Sequence, residues 1–152
     1  MKGVYLRVDI TLDPKGRLVL PARLRHKLEA EKIDSLVFHY HPIYKAIFAF
    51  TDEDWKKKIG ERLDDPFCYD PRAMALSHVL LAGAQSVEID GQGRILIPPK
   101  MRDEAGLDRA LVLQTVGERL EIWAADRWAA RLAEAVEMVQ GMDVQGFLRG
   151  AP

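Results

Sequence analysis

The chain has 152 residues, with 22 basic and 23 acidic side chains and a hydrophobic share of 48%, a composition that indicates a folded globular protein and excludes a disordered one. Its longest uninterrupted apolar run, Ala46 to Phe50, is too short to cross a bilayer, and Arg7 and Asp9 interrupt any signal-like stretch near the start. The single cysteine, Cys68, excludes an intramolecular disulfide. We therefore expect a soluble, cytoplasmic protein without a membrane partner.

The charge is unevenly distributed along the chain. Residues 1–28 have a net charge of +5, so the remaining 124 residues sum to −6. Segregated positive charge indicates a face that meets an anion, most often nucleic acid. A solvated basic segment without a partner is the alternative that charge alone leaves open. The basic residues of this segment are Lys2, Arg7, Lys15, Arg17, Arg23, Arg25 and Lys27.

The chain contains an internal repeat. ITLDPKGRLVLPARLR at 10–25 aligns with VEIDGQGRILIPPKMR at 87–102, and five of the sixteen positions are identical. Similarity continues downstream, where Trp55 corresponds to Trp128. Because a repeat of this kind marks one structural unit used twice, we expect two copies of a unit of about 70–75 residues. The identical pairs are Asp13/Asp90, Gly16/Gly93, Arg17/Arg94, Pro21/Pro98 and Arg25/Arg102.

The first copy is predicted to have the order β-β-α-β-β-α. Asp13-Pro14-Lys15-Gly16 places Asp, Pro and Gly where a type I turn prefers them. Pro21 suits a helix start, and Thr51 with Asp54 resembles a helix N-cap. Strands are expected at 8–12 and 18–20, followed by a helix that starts at Pro21, ends near Asp34-Ser35 and has Leu24 and Leu28 on one face. A hairpin of 36–40 and 46–50 around Pro42 comes next. The last element is a helix with Trp55, Ile59 and Leu63 on one face.

The second copy repeats this plan. Asp64-Asp65-Pro66 interrupts the chain between the copies, and a bridging helix that includes Met74 and residues 79–81 ends at Gly83. A turn at 90–93 is expected, then a strand at 94–97 and a helix that starts at Pro99 and ends at Gly106. A hairpin of 111–116 and 120–123 follows. The final helix starts near Asp126 and has an apolar stripe of Trp128, Leu132, Val136 and Val139. The resulting divisions are 1–64 for the first repeat, 65–84 for the bridge, 85–142 for the second repeat and 143–152 for a flexible tail without a clear pattern.

The repeated segment resembles a known family. Asp13-x-x-x-Arg17 followed by LVLP, and Asp90-x-x-x-Arg94 followed by ILIPP, are similar to the two repeats of the MraZ family of bacterial transcriptional regulators. LLAGAQSVEIDGQGRILIPPKMRDEAGL at 80–107 and VGERLEIW at 116–123 are similar to that family's second half. The resemblance covers nearly the whole chain, and two copies at this spacing make it specific.

The resemblance implies an α+β fold in which the two tandem repeats form a pseudo-twofold swapped-hairpin barrel, related to AbrB-type regulators, with peripheral helices. It also implies a ring-shaped homo-oligomer, an octamer or dodecamer, that binds direct repeats of double-stranded DNA in the promoter of the division and cell-wall gene cluster. Such a protein would be cytoplasmic and nucleoid-associated, and it would act without a cofactor.

Two features depart from the family's pattern. His39-Tyr40-His41-Pro42 stands where the family usually has a Gly-rich hairpin. Residues 90–105 are electrically neutral, whereas residues 13–28 sum to +4, so the two copies are expected to contribute unequally to DNA binding.

Arg17 and Arg94 are the expected DNA-reading residues, because an arginine just after a tight turn can present its planar fork to guanine or phosphate. The alternative is that each arginine pairs internally with the aspartate four residues earlier. Asp13, Gly16, Asp90 and Gly93 are expected to form the turns. Candidates for phosphate contact, or else solvent-facing charges, are Lys15, Arg7, Arg23 and Arg25.

Other classes of function have less support in the sequence. His39 and His41 lie on the same side of a predicted strand and could begin a metal site, but two ligands do not complete a zinc shell. No metal and no catalytic residue are therefore predicted, which disfavours a small metal-dependent hydrolase. The main alternative to a DNA-binding regulator is a ring-forming interaction protein whose basic face binds RNA or a protein partner.

Overall fold

The order of strands and helices follows the repeat. The computed structural model describes residues 1–61 and 70–150. The first half consists of β1 (Arg7–Thr11), β2 (Arg17–Val19), α1 (Ala22–Ala30), β3 (Ser35–His41), β4 (Ala46–Phe50) and α2 (Asp52–Trp55), which continues as a π-helical turn (Lys56–Gly60). After α3 (Pro71–Ala82), the second half consists of β5 (Gln85–Glu88), β6 (Arg94–Leu96), α4 (Pro99–Glu104), β7 (Ala110–Val116), β8 (Arg119–Ala124) and α5 (Ala125–Val139).

Helix α1 ends earlier than the sequence predicts. Leu24 and Leu28 are buried as expected, but the helix stops at Ala30 and not near Asp34. Lys32 adopts a positive φ of 57°, and the backbone N–H of Ile33 donates to the carbonyl oxygen of Leu28 at 2.9 Å. The left-handed conformation of Lys32 reverses the chain direction, so that the N–H of Ile33 can satisfy a carbonyl group of the last helical turn. The helix therefore ends here without a glycine.

The other predicted helix ends are confirmed. The hydroxyl oxygen of Thr51 accepts the backbone N–H of Asp54 at 3.1 Å, and the hydroxyl donates to the Asp54 carboxylate at 2.8 Å. Gly83 follows α3, and Gly106, with a φ of 62°, follows α4. A short helix, α6 (Val144–Leu148), forms in the segment for which no regular structure was expected. The predictions for Leu63, for Asp64-Asp65-Pro66 and for Cys68 fall outside the described residues.

The strands pair across the two halves. Six of them form an antiparallel sheet in the order β1-β7-β8-β4-β3-β5, and β2 pairs with β6 in a separate ribbon. The first strand of each half therefore lies beside the second hairpin of the other half, as in the pairs Ile10↔Leu111 and Leu36↔Val87. The α+β class is confirmed. The sheet is open, because β1 and β5 are its edges and no strand of the described residues closes it into a barrel.

The two faces of this sheet pack against different elements. One face contributes Phe38 and Ile122 to the main core, which also contains Leu18 and Ile95 of the ribbon and Leu24 of α1. The β2–β6 ribbon and α1 therefore cover this face. The opposite face has a second cluster of mostly aromatic residues, covered by Trp55 after β4 and Trp128 of α5, that includes Phe48, Phe50, Val112 and Trp123.

Helix α5 has the predicted apolar stripe, but most of that stripe is exposed. Trp128 packs against the second cluster. Leu132, Val136 and Val139 are 45%, 48% and 50% exposed. Val79 and Leu81 of α3 are similarly exposed. The chain therefore presents apolar helix surface that no described residue covers. In the described ranges, none of the helices has the length and apolar character needed to cross a membrane.

Candidate nucleic-acid interface

The β2–β6 ribbon has an internal twofold symmetry. Leu18 pairs with Ile95, and the two residues are equivalent in the repeat, so the pseudo-twofold axis passes between them. The hydrogen bonds that flank this pair obey the same symmetry. The backbone N–H of Leu20 donates to the carbonyl of Gly93, and that of Ile97 donates to the carbonyl of Gly16, both at 2.9 Å.

One face of the ribbon is directed outward. Leu18 and Ile95 are 1% and 0% exposed, so the alternate positions must lie on the opposite side. Val19 and Leu96 are 55% and 53% exposed there. Each exposed apolar residue pairs across the strands with an arginine, in the pairs Val19↔Arg94 and Arg17↔Leu96. These four residues, Arg17, Val19, Arg94 and Leu96, are called the ribbon face below.

Asp13 organises the turn before Arg17. One oxygen of its carboxylate accepts the backbone N–H groups of Lys15 and Arg17, each at 2.9 Å, and the other accepts Nε of Arg17 at 2.9 Å. The backbone N–H of Arg17 and then its side chain hold the pKa of Asp13 below its usual value of 3.8. The carboxylate therefore stays ionised at neutral pH and holds the guanidinium of Arg17 at its Nε atom.

Asp90 repeats this arrangement before Arg94. It accepts the backbone N–H groups of Gln92 and Arg94 at 2.9 Å and Nε of Arg94 at 2.8 Å, and these bonds lower its pKa in the same way. The internal pairing that the sequence left open is thus present in both copies. Because each pair uses Nε, the two Nη groups of each guanidinium remain as donors for a ligand.

A second pair of arginines crosses between the halves. Arg25 of α1 lies over Gly93, and its Nη1 donates to the carbonyl of Gln92 at 3.3 Å. The equivalent Arg102 of α4 lies over Gly16. Each turn is therefore covered by a guanidinium of the other repeat, and both glycines have a positive φ, 82° at Gly16 and 74° at Gly93.

Replacing Gly16 or Gly93 with alanine should destabilise the fold by about 1–3 kcal/mol, because the added methyl group meets both an unfavourable φ and the overlying arginine. Chemical denaturation measures the effect. Gly91→Ala is the matched control, since a Cβ there meets no atom within 4 Å and its φ is not positive, so it should change stability by less than about 0.5 kcal/mol. Equal effects at Gly91 and Gly93 would contradict this explanation.

The remaining candidates for phosphate contact lie in different places. Lys15 is exposed in the first turn, and Arg23 is exposed on α1, the helix that follows β2 in the chain. Arg25 is engaged with the turn of the other half. Arg7 lies on β1 with its guanidinium 5.7 Å from the ring centre of Trp128, on the sheet face opposite the ribbon. The structure therefore brings Lys15 and Arg25 to the turns of the ribbon, leaves Arg23 exposed on α1, and places Arg7 on the opposite face of the sheet.

Comparison with known proteins identifies the family of the chain. The family model described as "MraZ protein, putative antitoxin-like" matches residues 80–145. A transcriptional regulator MraZ of Marinomonas sp. (strain MWYL1) is 34% identical over 86% of this chain and 83% of its own length. Proteins with the same name from Coxiella burnetii (strain Dugway 5J108-111) and Dechloromonas aromatica (strain RCB) are 32% and 34% identical, covering 92% and 91% of this chain and 93% and 92% of their own. The chain belongs to the MraZ family.

Three residues at the ribbon and its turns are not among the residues that the sequence predicts for this candidate site. Val19 and Leu96 are predicted only as strand positions, although alternation with Leu18 and Ile95 directs them outward. Arg102 aligns with Arg25 in the repeat, but the predicted site includes only Arg25. The repeat was the signal that could have identified it, since the symmetry of a MraZ-family chain requires both arginines to take equivalent positions.

The two histidines of the first hairpin, His39 and His41, pack against aromatic residues. His39 is 2% exposed, stacks on Phe50 at 5.9 Å and lies 5.3 Å from Trp55. Neither of its ring nitrogens has a hydrogen-bond partner among the described residues. No group of three or more His, Cys, Asp or Glu side chains in the described part of the chain is placed to hold a metal ion. Burial and the nearby His41 lower the pKa of His39 to about 4.

This burial should make stability depend on pH. Because the pKa of His39 falls from 6.5 in the unfolded chain to about 4, its contribution is complete above pH 6.5 and is lost as the pH falls toward 4. We expect a loss of about 1.5–2 kcal/mol between roughly pH 7 and pH 5. Denaturant titrations across this range measure it. His39→Phe should remove most of the slope, and an unchanged slope would exclude His39 as its source.

Proposed function

We propose that this chain is a sequence-specific DNA-binding transcriptional regulator that recognises direct repeats in the promoter of the division and cell-wall gene cluster, as a cytoplasmic, nucleoid-associated protein. The ribbon face is the observation that supports this proposal. It carries two symmetry-related guanidinium groups, each fixed at Nε by an aspartate and each with free Nη donors. The names of the relatives, transcriptional regulator MraZ, agree with it.

The chemistry of the ribbon face suits a base edge. A guanidinium whose Nε is already held can direct its two Nη groups at guanine O6 and N7, and the preformed ion pair reduces the rotamer entropy lost on binding. Val19 and Leu96 supply apolar surface beside each arginine, which suits a thymine methyl group. Lys15 and Arg23 would contact phosphates and set the register without reading sequence.

The strand pairing supports the swapped-hairpin arrangement of the two repeats. Each half contributes its first strand to the other half's second hairpin, and each half covers the other's turn with an arginine. In this proposal residues 1–64 and 85–142 are the two repeats, 65–84 connect them, and 143–152 follow as a tail. The exposed apolar surfaces of α3 and α5 supply contacts for a ring-shaped homo-oligomer, an octamer or dodecamer by family resemblance.

Selection from a random duplex library tests the proposed function. We expect the selected duplexes to share short motifs that recur at a fixed spacing. Log K for these duplexes should fall linearly with the logarithm of the salt concentration, with a slope of roughly −0.9 per neutralised phosphate. Competition with unrelated duplex and with single-stranded RNA completes the experiment. Enrichment of no motif, or equal competition by RNA, would instead favour a general polyanion-binding or RNA-binding protein.

A further inference from the structure

A small cavity lies between α5 and the sheet face opposite the ribbon. Its volume is about 250 Å³. Four aromatic residues line it: Tyr44 before β4, Phe48 of β4, Trp123 of β8 and Trp128 of α5. Trp123 and Trp128 meet edge to face with ring centres 5.4 Å apart, so they form a corner. This cavity is called the α5 pocket below.

A buried carboxylate at the α5 pocket is fully engaged by the protein. Glu121 is 4% exposed. One of its oxygens accepts Nε2 of Gln114 at 2.7 Å and Nε1 of Trp123 at 3.0 Å, and the other accepts Nε of Arg119 at 2.7 Å. Arg119 compensates the charge of this carboxylate, and the neutral donors of Gln114 and Trp123 occupy two more of its roughly four acceptor sites, so it has little capacity left to attract a cationic ligand.

Two guanidinium groups occupy aromatic faces at the α5 pocket. That of Arg119 lies 5.1 Å from the ring centre of Phe48, and that of Arg131 lies 4.9 Å from the ring centre of Tyr44. Among the described residues, Arg131 forms one ion pair, a long one of 3.8 Å with Glu134, and its Nη1 lies 3.9 Å from the sulfur of Met138. Arg7 lies 5.7 Å from the ring centre of a third lining residue, Trp128, so three of the four rings already face a guanidinium of the protein. The positive charge of Arg131 is only weakly compensated.

We propose that the α5 pocket binds a small planar aromatic carboxylate. The aromatic walls accept a flat ring by stacking and edge contacts, and Arg131 supplies a fork that matches a carboxylate. A quaternary ammonium, the usual ligand of an aromatic cage, would compete with two resident guanidinium groups. The cavity is slightly smaller than the roughly 300–1,000 Å³ of drug-sized sites, which limits the ligand to one or two fused rings.

The site can be studied apart from the ribbon face. The α5 pocket and the ribbon lie on opposite faces of the six-stranded sheet, so pocket variants leave Arg17 and Arg94 and their turns unchanged. The proposal therefore does not rest on the proposed DNA-binding function, and its failure would leave that function untouched.

Titration of the full chain with naphthalene-2-carboxylate tests the proposal, with quenching of tryptophan fluorescence and calorimetry as readouts. We expect saturable binding with one site per chain. Naphthyl-2-trimethylammonium and 2-methylnaphthalene should each bind at least about tenfold more weakly. Equal or tighter binding of the ammonium compound would overturn the choice of charge, and equal binding of the neutral compound would show that Arg131 plays no part.

Variants of α5 locate the site. Ala135→Phe should abolish binding, because Ala135 lines the pocket, whereas Ala133→Phe adds the same side chain at an exposed position of the same helix and should leave the affinity unchanged. Arg131→Met keeps much of the side-chain volume and should weaken binding of the acid five- to tenfold without affecting the neutral compound. Circular dichroism confirms folding of each variant. Unchanged binding by Ala135→Phe or by Arg131→Met would overturn the proposal.

Discussion

Replacing Arg17 or Arg94 with alanine should weaken binding to the preferred duplex by about 1–3 kcal/mol each, roughly a 5- to 150-fold loss of affinity. In the proposed complex each arginine would direct its Nη groups at a base edge, and alanine would leave that edge without a donor. Fluorescence anisotropy with a selected duplex measures the loss. Arg17→Ala should have the larger effect, because the segment around Arg17 has a charge of +4 and that around Arg94 is neutral.

The same substitutions should leave thermal stability nearly unchanged. The side chains of the Arg17–Asp13 and Arg94–Asp90 pairs are about one-third exposed, and ion pairs at such positions contribute little to folding. Asp13 and Asp90 also keep the backbone N–H bonds that hold the turns. A large fall in melting temperature that accounts for the loss of binding would show that the arginines serve only the internal pair.

Two further variants separate charge from geometry. Arg72→Ala removes one exposed positive charge from α3, which contributes no residue to the ribbon face, and should lower DNA affinity only slightly. Arg17→Lys keeps the charge but loses the planar fork, so it should retain binding to unrelated duplex while losing preference for the selected sequence. Equal sequence preference in Arg17→Lys and in the wild type would assign Arg17 to phosphate contact.

The sequence predicts where the strands and helices lie along the chain better than it predicts which strands pair with one another in the sheet. Alternation and turn chemistry are local properties, so the turns at Asp13 and Asp90 and the hairpins that follow are where the sequence placed them. Whether β1 pairs with its own half or with the other depends on contacts more than 100 residues apart, such as Arg7 with Gln114. Periodicity contains no such information, and only the family resemblance implied an exchange between halves.

The candidate site residues show the same limit, because local sequence patterns do not show which of them lie on one surface of the fold. Arg17 and Arg94 were identified because the repeat places both after a turn. Arg7 was included for its charge alone, but it lies on the second face of the sheet beside Trp128. Arg25 was expected to contact phosphate or solvent, and its contact with the turn at Gly93 follows from the pseudo-twofold axis between Leu18 and Ile95. Charge shows that a residue can contact DNA, but only the fold shows which residues share a surface.

Affinity for DNA should depend steeply on the number of repeats in the duplex. One chain presents a small ribbon face with two arginines, so a single repeat should bind weakly. The two halves of a chain differ in sequence, so contacts in the proposed oligomer from the first half of one subunit to the second half of the next would be heterologous, and such contacts form closed rings or open filaments. The exposed apolar residues of α3 and α5, among them Val79 and Val136, provide surface for these contacts.

A closed ring that holds several ribbon faces in fixed positions would turn the second and third contacts into intramolecular events. We expect three repeats to bind about 10²–10⁴ times more tightly than one, without any new contact. Duplexes with one, two and three repeats measure this gain. Inserting about half a helical turn between repeats keeps their number but rotates every second repeat to the other side of the duplex, so the gain should disappear. Light scattering that shows a monomer at micromolar concentration would contradict the ring, and equal affinity for one repeat and for three would contradict the cooperative use of its subunits.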